Sequence, residues 1–139
     1  MAGMKSTSSR ILLVDDDELN LDVLVECLRD EPYELVQARN GEEALAKLRQ
    51  DEQGFDAMVL DRMMPGMNGL DLLVHVKAEE HLQCLPVVMQ TSAGLPQEIC
   101  EGIEAGVFFY LIKPFDQQLL LRIVSAAVEE GLKWKRIFG

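Results

Sequence analysis

Asp61 closes the apolar run Phe55-Asp56-Ala57-Met58-Val59-Leu60 and is followed by Met63-Met64-Pro65-Gly66-Met67-Asn68-Gly69, which places a carboxylate at the end of a buried strand. A charge in such a position needs a partner. Three other apolar stretches end in groups that qualify: Asp15-Asp16-Asp17 after residues 11–14, Thr91-Ser92 after 86–90, and Lys113-Pro114 after 110–112. A carboxylate is ionised at neutral pH and is a usable nucleophile. Several carboxylates together repel one another unless a cation lies among them. A lysine ammonium is a flexible point charge suited to an anionic oxygen. If these four strand ends lie side by side, they form one reactive edge, because ligands of open parallel sheets bind where the strands' carboxyl ends converge.

The elements needed to position these groups are legible in the hydrophobic pattern. Apolar runs rich in Val, Ile and Phe predict strands over 11–14, 33–38, 55–60, 87–90 and 109–112, alternating with helical spacing. The first helix presents Leu21, Leu24, Val25 and Leu28 on one face. The second opens with Asn40 and Glu43 in capping-box spacing and buries Ala44, Leu45 and Leu48. A third helix starts near residue 70 and passes 76, a fourth starts at Pro96 and stops before Gly106, and the longest covers 116–133. Strict alternation with short connections implies an α/β fold, a parallel sheet with right-handed crossovers and helices on both faces. No internal repeat or second domain is visible. Residues 1–9 read as a flexible leader, 10–133 as the domain, and 134–139 as a tail or the start of a linker, with cations placed to suit a helix C-terminus.

Bulk properties exclude several functions. The 139 residues suffice for a substantial core in one domain. The 24 acidic against 13 basic residues give a net charge of −11, which repels phosphate backbones and argues against direct nucleic-acid binding. No run is long and apolar enough to span a bilayer and no signal-peptide core is present, so no membrane insertion and a cytoplasmic location are expected. Cys27, Cys84 and Cys100 are odd in number and lack metal spacing, which fits buried or free thiols in a reducing compartment. His75 and His81 lie away from the strand-end cluster and read as surface residues.

With "VDDD", "DRMMPGMNGLDLL", "TSAG" and "YLIKPF" in this order, the chain resembles the receiver domain of bacterial two-component response regulators from Arg10 to Lys133. The resemblance implies a flavodoxin-like (βα)5 fold, a doubly wound five-stranded parallel sheet in strand order 2-1-3-4-5. It implies that Asp61 accepts a phosphoryl group from a sensor histidine kinase or phosphotransfer protein, as a signalling switch rather than an enzyme. It also implies Mg2+, with Mn2+ as an alternative, bound by Asp16, Asp61 and the backbone carbonyl of Met63, with Asp15 acting through water. Magnesium suits that set because it takes hard oxygen ligands and keeps several waters. By the same resemblance Lys113 pairs with Asp61 before transfer and with a phosphoryl oxygen after it, and a cis peptide precedes Pro114. Thr91 is expected to bind the phosphoryl group and, by moving, to draw Tyr110 from an exposed to a buried rotamer, with Ser92 ranked second to it. The resemblance further implies that Met63 and Ala93 occupy positions that tune the lifetime of the acyl phosphate, and neither can position a water by hydrogen bonding, so slow self-dephosphorylation is expected. Asp17 is expected to be solvated or to cap the first helix.

The output face implied by the family comprises the fourth helix, fifth strand and fifth helix. There Phe108, Phe109 and the succession Leu119-Leu120-Leu121 offer apolar surface for a downstream protein, an output domain or a homodimer seam. Packing into the core explains the same residues equally well. Two other readings compete with the switch. A haloacid-dehalogenase-like Mg-dependent phosphatase would use Asp15 as nucleophile and Asp17 as acid/base, but leaves the Asp61 motif unexplained. A receiver-like scaffold working without phosphorylation is at odds with retention of every reactive position.

Overall fold

Five strands form a single parallel sheet in the computed structural model, which describes residues 8–92 and 94–138. They are β1 (Ser9–Val14), β2 (Tyr33–Ala38), β3 (Ala57–Asp61), β4 (Val87–Thr91) and β5 (Phe109–Ile112). Their order is β2-β1-β3-β4-β5, the order the resemblance implies. Side chains alternate across a strand, so each strand supplies both faces. Ile11, Leu13, Val59, Val88 and Leu111 pack with the first and last helices, α1 (Glu18–Leu28) and α5 (Gln117–Phe138). Leu12, Val14, Met58, Leu60 and Met89 pack on the other face with α2 (Gly41–Gln50) and α3 (Gly69–Ala78). On that second face α4 (Pro96–Ala105) contributes only partly buried Ala105 to the cluster. The three inner strands β1, β3 and β4 are covered on both sides, which explains their continuous apolar sequence.

Helix starts follow from local capping. Asp17 Oδ1 accepts the Leu19 amide at 2.9 Å and caps α1. Asn40 caps α2 by accepting the Glu43 amide at 2.7 Å, but the reciprocal half of the expected box is absent, because the Glu43 carboxylate takes the Arg39 amide instead at 2.9 Å. The complete box lies at α3, where Asn68 and Asp71 cap each other's backbone. Gly106, at φ 100°, ends α4 in the left-handed region that glycine enters without strain.

The last helix runs beyond residue 133. Trp134 Nε1 donates to Glu130 at 3.0 Å, the Trp134 and Phe138 rings stack with centroids 5.5 Å apart, and Lys135 reaches back to Asp56. These contacts give residues 134–138 packing partners, so they continue the helix instead of forming a separate tail. At the other terminus Ser9 already pairs with Tyr33, while residues 1–7 of the expected leader lie outside the described residues. Among the described residues, no helix is long and apolar enough to cross a membrane. Cys27 and Cys84 are half-buried and Cys100 is exposed, all as free thiols, and both histidines are exposed.

Candidate functional site

The carboxyl ends of β1, β3 and β5 bring the reactive groups together. Asp61, the last residue of β3, is 5% exposed. Its neighbourhood is fixed through the backbone: the Arg62 amide donates to the Gln90 carbonyl and the Gly69 amide to the Arg62 carbonyl, both at 2.9 Å. Gly69 permits that approach, since a Cβ there would lie 2.5 Å from the Asp61 carbonyl oxygen. Asp15, just past β1, is 1% exposed. One of its oxygens accepts the Asp17 amide at 3.0 Å and the other lies 3.5 Å from the Gln90 amide nitrogen.

Lys113 enters from the end of β5. Its amide donates to the Thr91 carbonyl at 2.7 Å, and its ammonium donates to Asp61 Oδ1 at 3.0 Å and stands 3.8 Å from Asp15 Oδ2. The Lys113–Pro114 peptide is cis. Asp16 is exposed, yet one oxygen from each of Asp15, Asp16 and Asp61 lies within 4.8 Å of the others. Burial raises the Asp61 pKa to about 6, opposed by the Lys113 hydrogen bond and reinforced by the nearby Asp15 charge. Burial also raises Asp15, against its hydrogen bond from Asp17 and the Lys113 charge. Among the described residues, Lys113 is the cation paired to this cluster, so three carboxylates share one ammonium. Clustered hard oxygen donors with a charge deficit of this sign fit a divalent cation such as Mg2+.

The sequence model of the response regulator receiver domain matches residues 11–125. This chain belongs to that family. Chemotaxis protein CheY of Pseudomonas aeruginosa is 40% identical over 121 residues, covering 86% of this chain and 96% of that protein. Chemotaxis protein CheY-3 of Vibrio cholerae is 38% identical over 116 residues, covering 83% and 88%. Among solved structures, a response regulator from Chloroflexus aurantiacus superposes with a TM-score of 0.82 at 34% identity, covering 88% of this chain and 98% of the other. The receiver domain of sensor histidine kinase PA1611 from Pseudomonas aeruginosa, solved with a magnesium ion coordinated in its active site cleft, superposes with a TM-score of 0.79 at 26% identity, covering 88% and 98%. Receiver domains are signalling switches of two-component systems, meeting histidine kinases on one side and downstream effectors on the other.

Within this receiver the singled-out residues differ in where they fall. Asp15, Asp16, Asp61 and Lys113 share the edge, and Thr91 lies fully buried at the end of β4 beside it. Asp17 caps α1 through one carboxylate oxygen, in keeping with the expected capping role. Met63 has an exposed side chain and Ser92 is exposed, while Ala93 lies outside the described residues. Tyr110 is half-buried against Gly102 of α4, where a Cβ would meet its ring at 2.5 Å.

One residue escaped sequence reasoning. Arg62 is 8% exposed, and its guanidinium donates to the Glu98 carbonyl at 3.0 Å, to the Tyr110 hydroxyl oxygen at 3.3 Å and to Glu101 Oε1 at 2.6 Å. The available signal was its place directly after Asp61 in an otherwise apolar Met-rich stretch.

Proposed function

We propose that this receiver is the phospho-acceptor of a two-component relay, taking a phosphoryl group on Asp61 from a histidine kinase or phosphotransfer protein. The observation that carries the reading is the Asp61 carboxylate, buried at the sheet's carboxyl edge with the Lys113 ammonium on one oxygen at 3.0 Å. In the transfer an Asp61 oxygen forms the new P–O bond while the donor's P–N bond breaks, and the imidazole leaves with its electron pair. Lys113 holds Asp61 before the step and turns to a phosphoryl oxygen after it. Thr91 offers its hydroxyl to another of those oxygens. Asp16, Asp61 and the Met63 carbonyl would hold Mg2+, or Mn2+, with Asp15 acting through water. That ion supplies charge neutralisation between protein carboxylates and phosphate.

Output runs through α4, β5 and α5, where Phe108, Phe109 and Ile112 are exposed and Leu119 stands clear of the core. We assign this face to a downstream protein, an output domain or a second copy of the chain, with residues 10–133 as the signalling unit and the cytoplasm as its place. The strong negative charge speaks against direct nucleic-acid contact. Exposed Met63 has no group to orient an attacking water, consistent with slow self-dephosphorylation.

The deciding experiment incubates wild type and Asp61→Asn with Mg2+ and acetyl phosphate and reads intact mass. One phosphoryl addition in wild type and none in the variant is expected. Equal addition to both removes Asp61 as acceptor, and no addition to either favours a scaffold working without phosphorylation. Size-exclusion chromatography of the same samples tests modification-dependent association.

A further inference from the structure

α4 is the least anchored helix of the fold. Its N-terminus at Leu95 has no side-chain cap, and Gly102 is its sole buried residue. Buried apolar contacts are what give a segment local stability, so a helix with few of them needs another tie. Arg62 provides one. Its backbone amide and carbonyl are both bonded, to Gln90 and Gly69, so the residue next to Asp61 has a fixed backbone from which the guanidinium reaches α4. That guanidinium grips α4 at the Glu98 carbonyl and Glu101, and also holds the Tyr110 hydroxyl.

Resting on the assignment of Asp61 as acceptor, we propose that Arg62 is a latch: it pins α4 and Tyr110 in the unmodified protein and loosens that grip when Asp61 takes a phosphoryl group. Release needs a second place for a buried cation, because a guanidinium stranded without a partner is strongly disfavoured. Glu98 supplies it. One helical turn before Glu101, its Oε1 is enclosed with no hydrogen-bond partner among the described residues. Both carboxylates lie on α4, so the guanidinium has two discrete arrangements on one helix: the hold on Glu101, and a hold on the first-turn Glu98 alone that leaves the rest of α4 without its tie. Arg62 acts through α4 and Tyr110, without touching the phosphoryl group, and so is a positioning residue.

Hydrogen exchange read by mass spectrometry on the full chain tests this, with and without Mg2+ and acetyl phosphate, and with intact mass reporting the extent of modification. In unmodified protein, Arg62→Met should exchange the amides of residues 99–105 about tenfold faster than wild type, the loss expected for charge-assisted hydrogen bonds. Modification should accelerate the same amides in wild type and add little in Arg62→Met, with both proteins modified to equal extent. Glu101→Gln, which keeps shape and loses charge on a partly exposed site, should fall between them and serves if Arg62→Met does not fold. Wild-type exchange in unmodified Arg62→Met, or a full modification-dependent change retained by it, overturns the latch. If wild type takes up no phosphoryl group, Asp61 fails as acceptor and the coupling fails with it, while the unmodified comparison still decides whether Arg62 pins α4.

Discussion

Strand β3 carries a buried aspartate at each end, and the two are treated in opposite ways. Asp56, one residue before the strand, is 2% exposed and Asp61 is 5% exposed. At the first end the charge is matched by a cation of its own. The Arg10 amide donates to Asp56 Oδ2 at 2.7 Å, and the Lys135 ammonium lies 2.7 Å from Oδ1 as an ion pair rather than an aligned hydrogen bond. Arg10 itself is held by Asp51 and Glu34 and lies over the Phe55 ring at 4.6 Å. At the second end Asp61 and Asp15 share the single ammonium of Lys113, and burial keeps Asp61 partly protonated well above the usual carboxylate range. One end uses its buried charge to fasten α5 to the sheet. The other keeps an excess of negative charge that a divalent cation would relieve, with the perturbed carboxylate that marks a candidate site.

Breaking the compensated end should have the largest effect. Asp56→Ala strands the part-buried Arg10 amide and leaves Lys135 only the Gly54 carbonyl, and urea unfolding should show a loss of about 3–4 kcal/mol. Phosphoryl uptake on Asp61 should persist in whatever fraction remains folded. Retention of full stability would mean that the Asp56 contacts contribute nothing and that the two ends of β3 do not differ.

Two glycines sharpen the contrast, since each is pressed against the backbone of one of these aspartates. A Cβ at Gly131 of α5 would lie 2.0 Å from the Asp56 carbonyl oxygen, and one at Gly69 would lie 2.5 Å from that of Asp61. Gly131→Ala should cost about 2–3 kcal/mol by forcing α5 off the sheet, with the rate of uptake per folded molecule unchanged. Gly69→Ala should instead displace the acceptor and slow uptake by acetyl phosphate roughly a hundredfold, since small misplacements of reacting groups carry costs of that order. Equal effects of the two substitutions on uptake would show that position at the acceptor end is not critical.

The strands and the polar groups that end them were legible from local pattern, while the strand order that gathers Asp15, Asp61 and Lys113 at one rim was implied by the family resemblance. Apolar runs that end in Asp, Thr or Lys mark strand ends in a parallel fold whatever the details of packing. Arg62 was not legible, because an arginine after a strand reads as a solvated loop residue. Its burial depends on Glu98 and Glu101, more than 35 residues later, meeting it across the sheet edge. Asp56 went unweighed for a similar reason, with its partners at Arg10 and Lys135. The extension of α5 was masked by cations that suit a helix end, although the spacing of Trp134 and Phe138 by four residues already marked one helical face. The capping box was sought at Asn40 and found at Asn68, and both sites carry the same Asn-x-x-acid spacing. Spacing alone does not say which backbone amide the acid will reach.

Neutralising the uncompensated end should stabilise the fold. Asp61 titrates near pH 6 when folded and near 3.9 when unfolded, a difference of about two pH units. The sign follows from where the proton is held. Above pH 6 the folded protein carries a disfavoured charge that the unfolded chain carries freely. As pH falls from 6 to 4 the folded state takes up its proton first and gains stability, and below about 4 both states are protonated and the difference is gone. Asp61→Asn removes the charge while leaving an oxygen for Lys113, so in chelator at pH 7.5 it should be more stable than wild type by roughly 2 kcal/mol. The gain should vanish near pH 4. A variant less stable than wild type at both pH values would show that the Lys113 pair outweighs burial.

The smallest expected effect tests the same deficit without mutation. If three carboxylates around one ammonium favour a divalent ion, Mg2+ should bind the folded receiver and not the unfolded chain. Stability should then rise by about 1.4 kcal/mol at a concentration ten times the dissociation constant, and continue to climb with the logarithm of concentration. Thermal or urea unfolding across a Mg2+ series, at constant ionic strength to remove general screening, measures it. Asp61→Asn should show a reduced response, because one oxygen donor has lost its charge. Asp56→Ala should show the wild-type response superimposed on its lower stability, because the ion acts at the far end of β3. An identical Mg2+ response in wild type and Asp61→Asn would place the ion elsewhere, and with it the supposed asymmetry between the two ends of the strand would lose its functional meaning.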